Sequence, residues 1–146
     1  MISKRMTATA LALVATAAPA TALAATAPAK TATPLGKVTS KGSTATLRVR
    51  YSCKTGTTLW ISLKQSKSGK KDPALKGEGS SKAAHSWLQS HANKVTCDGK
   101  KHTATFTVDK KEQGKGKLKT GKAWLQFCVT SGESLTVSVA RWVTVK

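Results

Sequence analysis

The residues that could do covalent or acid–base work are few: Cys53, Cys97 and Cys128; His85, His91 and His102; and six acids, Asp72, Glu78, Asp98, Asp109, Glu112 and Glu133. Cys128 beside a histidine would make a nucleophile, and two facing carboxylates would make an acid–base pair. Neither pattern is drawn here. The chain holds no G-x-S-x-G, no H-E-x-x-H and no phosphate-cradling glycine loop. Its acids fall in or beside turns, and its histidines suit surface or strand positions better than a metal. The chain therefore reads as a non-enzyme without metal or cofactor. What remains is non-covalent chemistry. Trp60, Trp124 and Trp142 could offer flat faces to a sugar ring or a protein, and a set of lysines could offer point charges to a polyanion.

The elements that must position these groups are strands. Leu47, Val49, Tyr51 and Cys53 alternate with Arg48, Arg50 and Ser52, and Leu59, Ile61 and Leu63 alternate with Trp60, Ser62 and Lys64. That period of two marks strands with one buried face, and Thr55-Gly56 marks the break between them. Further strands are expected at 37–39, 44–53, 57–65, 102–109, 122–130 and 135–145, with a short irregular one within 83–93. Polar loops at 66–82 and 110–121 and turns at Lys41-Gly42-Ser43, Asp98-Gly99 and Ser131-Gly132-Glu133 separate them. No helix of useful length is expected. About seven short strands with turns between them predict an all-β, antiparallel sandwich as a single domain over 36–146.

Tyr51-Ser52-Cys53, the 59–65 strand, Cys97-Asp98-Gly99 with His102, and Gly121-Lys122-Ala123 follow one another in an order that resembles small secreted actinobacterial domains of immunoglobulin-like character and unknown function. The likeness covers residues 36–146. It implies a disulfide-bonded immunoglobulin-like β-sandwich outside the cell, and it brings no catalytic residues with it. The third cysteine and the two lysine-rich loops depart from that pattern.

In an immunoglobulin-like order the second and fifth strands are antiparallel neighbours, which sets the end of the second, Cys53, beside the start of the fifth, near Cys97. Cys53 shares the inward parity of Leu47, Val49 and Tyr51, so Cys53–Cys97 is the expected bridge. The rival, Cys53–Cys128, needs Cys128 to face inward against the parity of Leu125, Phe127 and Val129. With the first pairing Cys128 is a free thiol: a buried inert one, a mixed disulfide, or the link of a Cys128–Cys128 dimer. The third, sixth and seventh strands lie side by side in this order. Trp60, Trp124 and Trp142 would then share their outer face with Gln126, Ser62 and Lys64. Two arrangements compete with an exposed platform: the 66–82 loop or the 83–93 segment folds over it, or a bulge near Arg141 swings Trp142 inward. The same order sends both lysine loops to one pole, with Lys67, Lys70, Lys71 and Lys76 on one and Lys110, Lys111, Lys115, Lys117 and Lys119 on the other. That pole serves either as an anion-binding surface or as a solvated one.

The remaining composition bears on destination. Lys4-Arg5 followed by an Ala/Leu/Val/Thr run to Ala18 and by Ala22-Leu23-Ala24 reads as an export signal, 1–24. Ala18-Pro19-Ala20 and Ala27-Pro28-Ala29 are alternative cleavage sites. Residues 25–35, rich in Ala, Pro and Thr, read as a disordered tether, and nothing later in the chain is apolar enough to span a bilayer. With 146 residues and a formal net charge of +19, the expected partner is a polyanion. Lysine set among Gly and Ser does not suit sequence-specific reading of nucleic acid bases. The expectation is a secreted, cell-wall-associated cationic domain that holds anionic envelope polymer or polysaccharide through its lysine pole. The alternative is a carbohydrate- or protein-recognition module built on the Trp face.

Overall fold

The computed structural model describes residues 31–146 apart from Glu78. The expected signal peptide and the first part of the tether, 25–30, lie outside the described residues. The chain is all-β, with strands β1 (Thr31–Lys41), β2 (Thr44–Ser52), β3 (Thr58–Gln65), β4 (Ser86–Ser90), β5 (Lys101–Asp109), β6 (Gly121–Ser131) and β7 (Ser134–Val145). A 3₁₀ turn at Pro73–Leu75 and a single helical turn, α1 (Ser80–Ala83), interrupt the loop between β3 and β4. Among the described residues no helix is long and apolar enough to cross a membrane.

The alternation read from the sequence places the core. Leu47, Val49 and Tyr51 of β2, Leu59, Ile61 and Leu63 of β3, Phe106 and Val108 of β5, and Leu125, Phe127 and Val129 of β6 are all buried. Burying each of the large side chains is worth roughly 1.5–3 kcal/mol. Tyr51, Phe106 and Phe127 meet as an aromatic trio with centroids 5.5–6.0 Å apart. Arg48 and Arg50 of β2 and Thr105 and Thr107 of β5 alternate with them and are exposed, so a one-residue slip would expose the whole set.

The strands run in the order β1-β2-β5-β4-β3-β6-β7 and close into a barrel, which differs from the expected sandwich of two separate sheets. The closure has two narrow seams. Short β4 lies along β3 and pairs with β5 only at Gln89↔Asp109. The end of β7 runs parallel to β1 at Val38↔Val145, supported by the Lys146 amide donating to Val38 O at 3.0 Å. β1 is longer than the 37–39 expected. Residues 31–35, assigned by composition to the tether, pair with β2 from Ser52 back to Arg48. The register shifts between Leu35 and Thr39, where Gly36 takes a positive φ of 72°.

The expected bridge is present: Cys53 and Cys97 are joined, with Cα atoms 4.7 Å apart. Two hydrogen bonds fix the segment beside it. Thr96 N donates to the Tyr51 hydroxyl at 3.0 Å, and Gly99 N donates to Cys53 O at 2.8 Å. Cys128 is free and half-buried, on the outward side of β6 as its parity requires.

Candidate functional site

The outer face of β4, β3, β6 and β7 is built from cross-strand rows. Trp87, Lys64, Trp124 and Trp142 stand opposite one another in the first; Gln89, Ser62, Gln126 and Ala140 in the second; Trp60, Cys128 and Ser138 in the third. Trp60, Trp124, Trp142 and Gln126 therefore do share one face. That face is not an open platform. The loop after β3 folds over its first row and forms a second small core: Leu75 and Ala84, both buried, pack with Trp124, Trp87 and Trp142. Trp124 keeps only 9% exposure and meets Trp142 edge-on at 5.1 Å, with Lys76 Nζ 5.4 Å from its ring centroid. Its indole N–H has no partner among the described residues. Of the two competing arrangements, covering by the loop is the one found. The register beside Arg141 is regular, and the irregularity of this strand pair falls at Val129/Thr130.

Beyond the covered end the face opens as a cleft of about 340 Å³, lined by Trp60, Trp87, Lys64, Gln126, Lys76 and the loop residues Gly77, Gly79, Ser80 and Ser81. Lys64 stands on this face as its parity requires, and Trp87 is the member the sequence did not place there. Both indole N–H groups are used inside the protein: Trp60 Nε1 donates to Gln89 Oε1 at 3.0 Å, and Trp87 Nε1 to Ser62 Oγ at 3.0 Å. Trp60 also stacks with His91, centroids 6.5 Å apart. Lys64 is the unusual member. It is a strand residue only 6% exposed, and its ammonium donates to Ser80 Oγ and to Gln126 Oε1, each at 2.7 Å. Burial pushes its pKa below the ordinary lysine value, because low-dielectric surroundings disfavour the charged form.

The lysine pole is also assembled, and more tightly than its composition suggests. The 110–121 loop is pinned along its backbone. Lys115 exchanges both main-chain hydrogen bonds with Trp87, at 2.8 and 2.9 Å, so it extends the sheet beside β4. Ser86 Oγ donates to Lys117 O at 2.7 Å and Ser40 Oγ to Leu118 O at 3.0 Å, while the Leu118 side chain enters the main core. Gln65, fully buried, clamps Lys119 by accepting from its N–H and donating to its carbonyl, at 2.9 and 2.8 Å. Gly116 is required where the loop crosses β4: its φ is +68°, and a Cβ there would sit 2.7 Å from Ser86 Oγ and 2.8 Å from His85 O. The 66–85 loop is tied to the start of β6, where the 110–121 loop ends, through Lys122 N donating to Gly69 O at 2.7 Å. All nine lysines expected at this pole are exposed. The Lys41 turn and Lys146 stand beside them, through Ser40 N donating to Lys146 O at 3.3 Å.

The acids of the same loop are engaged. Glu112 accepts from His91 N at 3.0 Å and pairs with His91 Nδ1 at 2.7 Å, which holds its carboxyl below the usual range. Asp109 Oδ1 accepts from Lys111 N at 2.8 Å. The only lysine ion pair among the described residues is Lys111–Asp109, at 3.9 Å. At the disulfide pole Asp98 binds His102 at 2.7 Å, and its pKa is lowered chiefly by that bond. Cys128 lies beside Ser138, with Sγ and Oγ 3.9 Å apart, and no group of three metal-ligating side chains occurs among the described residues. Comparison with family models, curated proteins and solved structures finds no match.

Proposed function

We propose that this is a secreted, non-enzymatic cationic domain of immunoglobulin-like character that associates with anionic cell-envelope polymer through its lysine pole. The observation that carries the reading is the pinned 110–121 loop. Lys110, Lys111, Lys115, Lys117 and Lys119 project from a backbone tied to β3, β4 and the core. The loop therefore reaches a polymer largely ordered, and the entropy cost of fixing it is already met on folding. Exposed ammonium groups with almost no acid partners create a positive field that draws in a polyanion and is screened by salt. The order β1-β2-β5 on one side and β3-β6-β7 on the other supports the immunoglobulin-like part of the reading, and the Cys53–Cys97 bridge supports an oxidising location.

The alternative, a carbohydrate- or protein-recognition face formed by Trp60, Trp124 and Trp142 together, is weaker, because Trp124 lies under the loop. The test is retention on purified wall fractions. The variant with Lys110, Lys111, Lys115, Lys117 and Lys119 changed to Gln should keep its melting curve and lose most low-salt retention. Unchanged retention would reject the lysine pole.

A further inference from the structure

The cleft at Trp60 is chemically one-sided. Its walls are two indoles whose N–H groups are already spent on Gln89 and Ser62, so they offer a ligand only C–H and π surface. Its floor carries one ammonium, Lys64, beside the neutral side chains of Gln126 and Ser80. Lys64 Nζ carries three protons, and two are taken by Ser80 Oγ and Gln126 Oε1, which leaves one. Gln126 accepts through Oε1, so its Nε2 turns its two protons elsewhere. Two neutral oxygens bind an ammonium without cancelling its charge, and no carboxylate among the described residues lies within ion-pair distance of Lys64. A lysine so far out of water is ordinarily paired. The volume of about 340 Å³ is at the small end of ligand cavities. It suits one ring with its substituents and excludes a folded protein segment.

We propose that this cleft binds a single sugar ring bearing a carboxylate. The ring lies against Trp60 and Trp87, and the carboxylate takes the remaining Lys64 N–H together with Gln126 Nε2. The C–H face of a pyranose matches an indole whose polar edge is occupied. A carboxylate matches the ammonium that no acid among the described residues neutralises, and forms charge-assisted hydrogen bonds with it. This site is separate from the 110–121 loop: Lys110, Lys111, Lys115, Lys117 and Lys119 do not line it, and of the lysines expected at the pole only Lys76 does.

The test is a titration of the full mature chain, followed by the indole N–H signals of Trp60 and Trp87, with methyl glucuronide, methyl glucoside and glutarate at 0.15 M and 0.5 M salt. Glu78 lies between Gly77 and Gly79 in the sequence, so Glu78→Gln is titrated in parallel to remove its charge. The expected result is that the glucuronide binds at least tenfold tighter than the glucoside at both salt concentrations, and that glutarate moves neither indole. Lys64→Met should erase the difference between the two sugars, and Trp60→Leu should weaken both. Equal binding of the two sugars, binding of glutarate as tight as the glucuronide, or no binding by either wild type or Glu78→Gln would each overturn the assignment. The five-lysine variant should bind the glucuronide as wild type does, so failure of the pole and failure of the cleft are read separately.

Discussion

Removing the disulfide has a magnitude that follows from the chain. Cys53 and Cys97 are 44 residues apart. Closing a loop of that length restricts the unfolded chain by about 13 cal/mol/K, or roughly 4 kcal/mol at 25 °C. In the folded protein the hydrogen bonds from Thr96 to Tyr51 and from Gly99 to Cys53 remain when the sulfurs are gone. They hold the 91–100 segment in place, so the loss falls mainly on the unfolded side of the equilibrium. The double variant Cys53→Ala, Cys97→Ala should therefore keep the wild-type fold and lose about 4 kcal/mol. For a domain of this size that lowers the melting temperature by about 15 °C. Urea and thermal melts followed by Trp fluorescence measure it. The urea m-value should rise, because the uncrosslinked unfolded chain exposes more surface. A drop of less than about 3 °C with an unchanged m-value would refute the reasoning, since the 54–96 loop would then be constrained in the unfolded chain without its bridge.

Other expectations follow from single sites. Gly56→Ala should destabilise by about 1–3 kcal/mol, because the new Cβ would press on Val129 Cγ1 and lie 2.8 Å from Cys97 Sγ; urea melts would show it, and a neutral change would mean that the 54–57 turn yields. Burial pushes the Cys128 thiol pKa up, so little thiolate is present near pH 8. Alkylation should be slow until denaturant is added, and a non-reducing gel should show monomer; rapid labelling or a dimer band lost in Cys128→Ser would contradict this. Glu112 has its pKa depressed in the folded state by His91, so its contribution is present above the unfolded carboxylate value and is lost as pH falls through the lower folded value. The His91 amide signal should shift on that acid side in wild type and not in Glu112→Gln.

How much of this was legible in the sequence depends on where period and packing agree. The alternation in 47–53, 59–65 and 125–129 identified the core faces, the inward cysteine and the outward one, because each of those strands buries one face and a slip would expose it. Trp87 escaped notice because Ser86-Trp87-Leu88-Gln89-Ser90 is too short and too polar for a clear period. It is placed by pairing with β3, which no local pattern encodes. Lys64 was placed on this face by its parity, but its burial was not legible. An outward lysine on a strand reads as solvated, and only the 66–85 loop buries it. Leu75, a lone large apolar residue in that polar loop, was the available clue to the cover. Residues 31–35 read as tether because Pro34 and the Ala/Thr composition resemble a linker, yet their pairing with β2 makes them strand. Closure into a barrel was not legible, since each seam depends on a single residue pair that no local pattern encodes.

The central claim is that the 110–121 lysines carry the association with anionic polymer. Its most direct measurement is the slope of log affinity against log salt for purified anionic wall polymer, taken for wild type and for the five-lysine variant. On a polyanion each neutralised contact contributes a slope of roughly −0.7. The account predicts that the five substitutions flatten the slope by about three to four, with the fold intact. Identical slopes for the two proteins, or affinity in wild type that does not fall with salt, would contradict it.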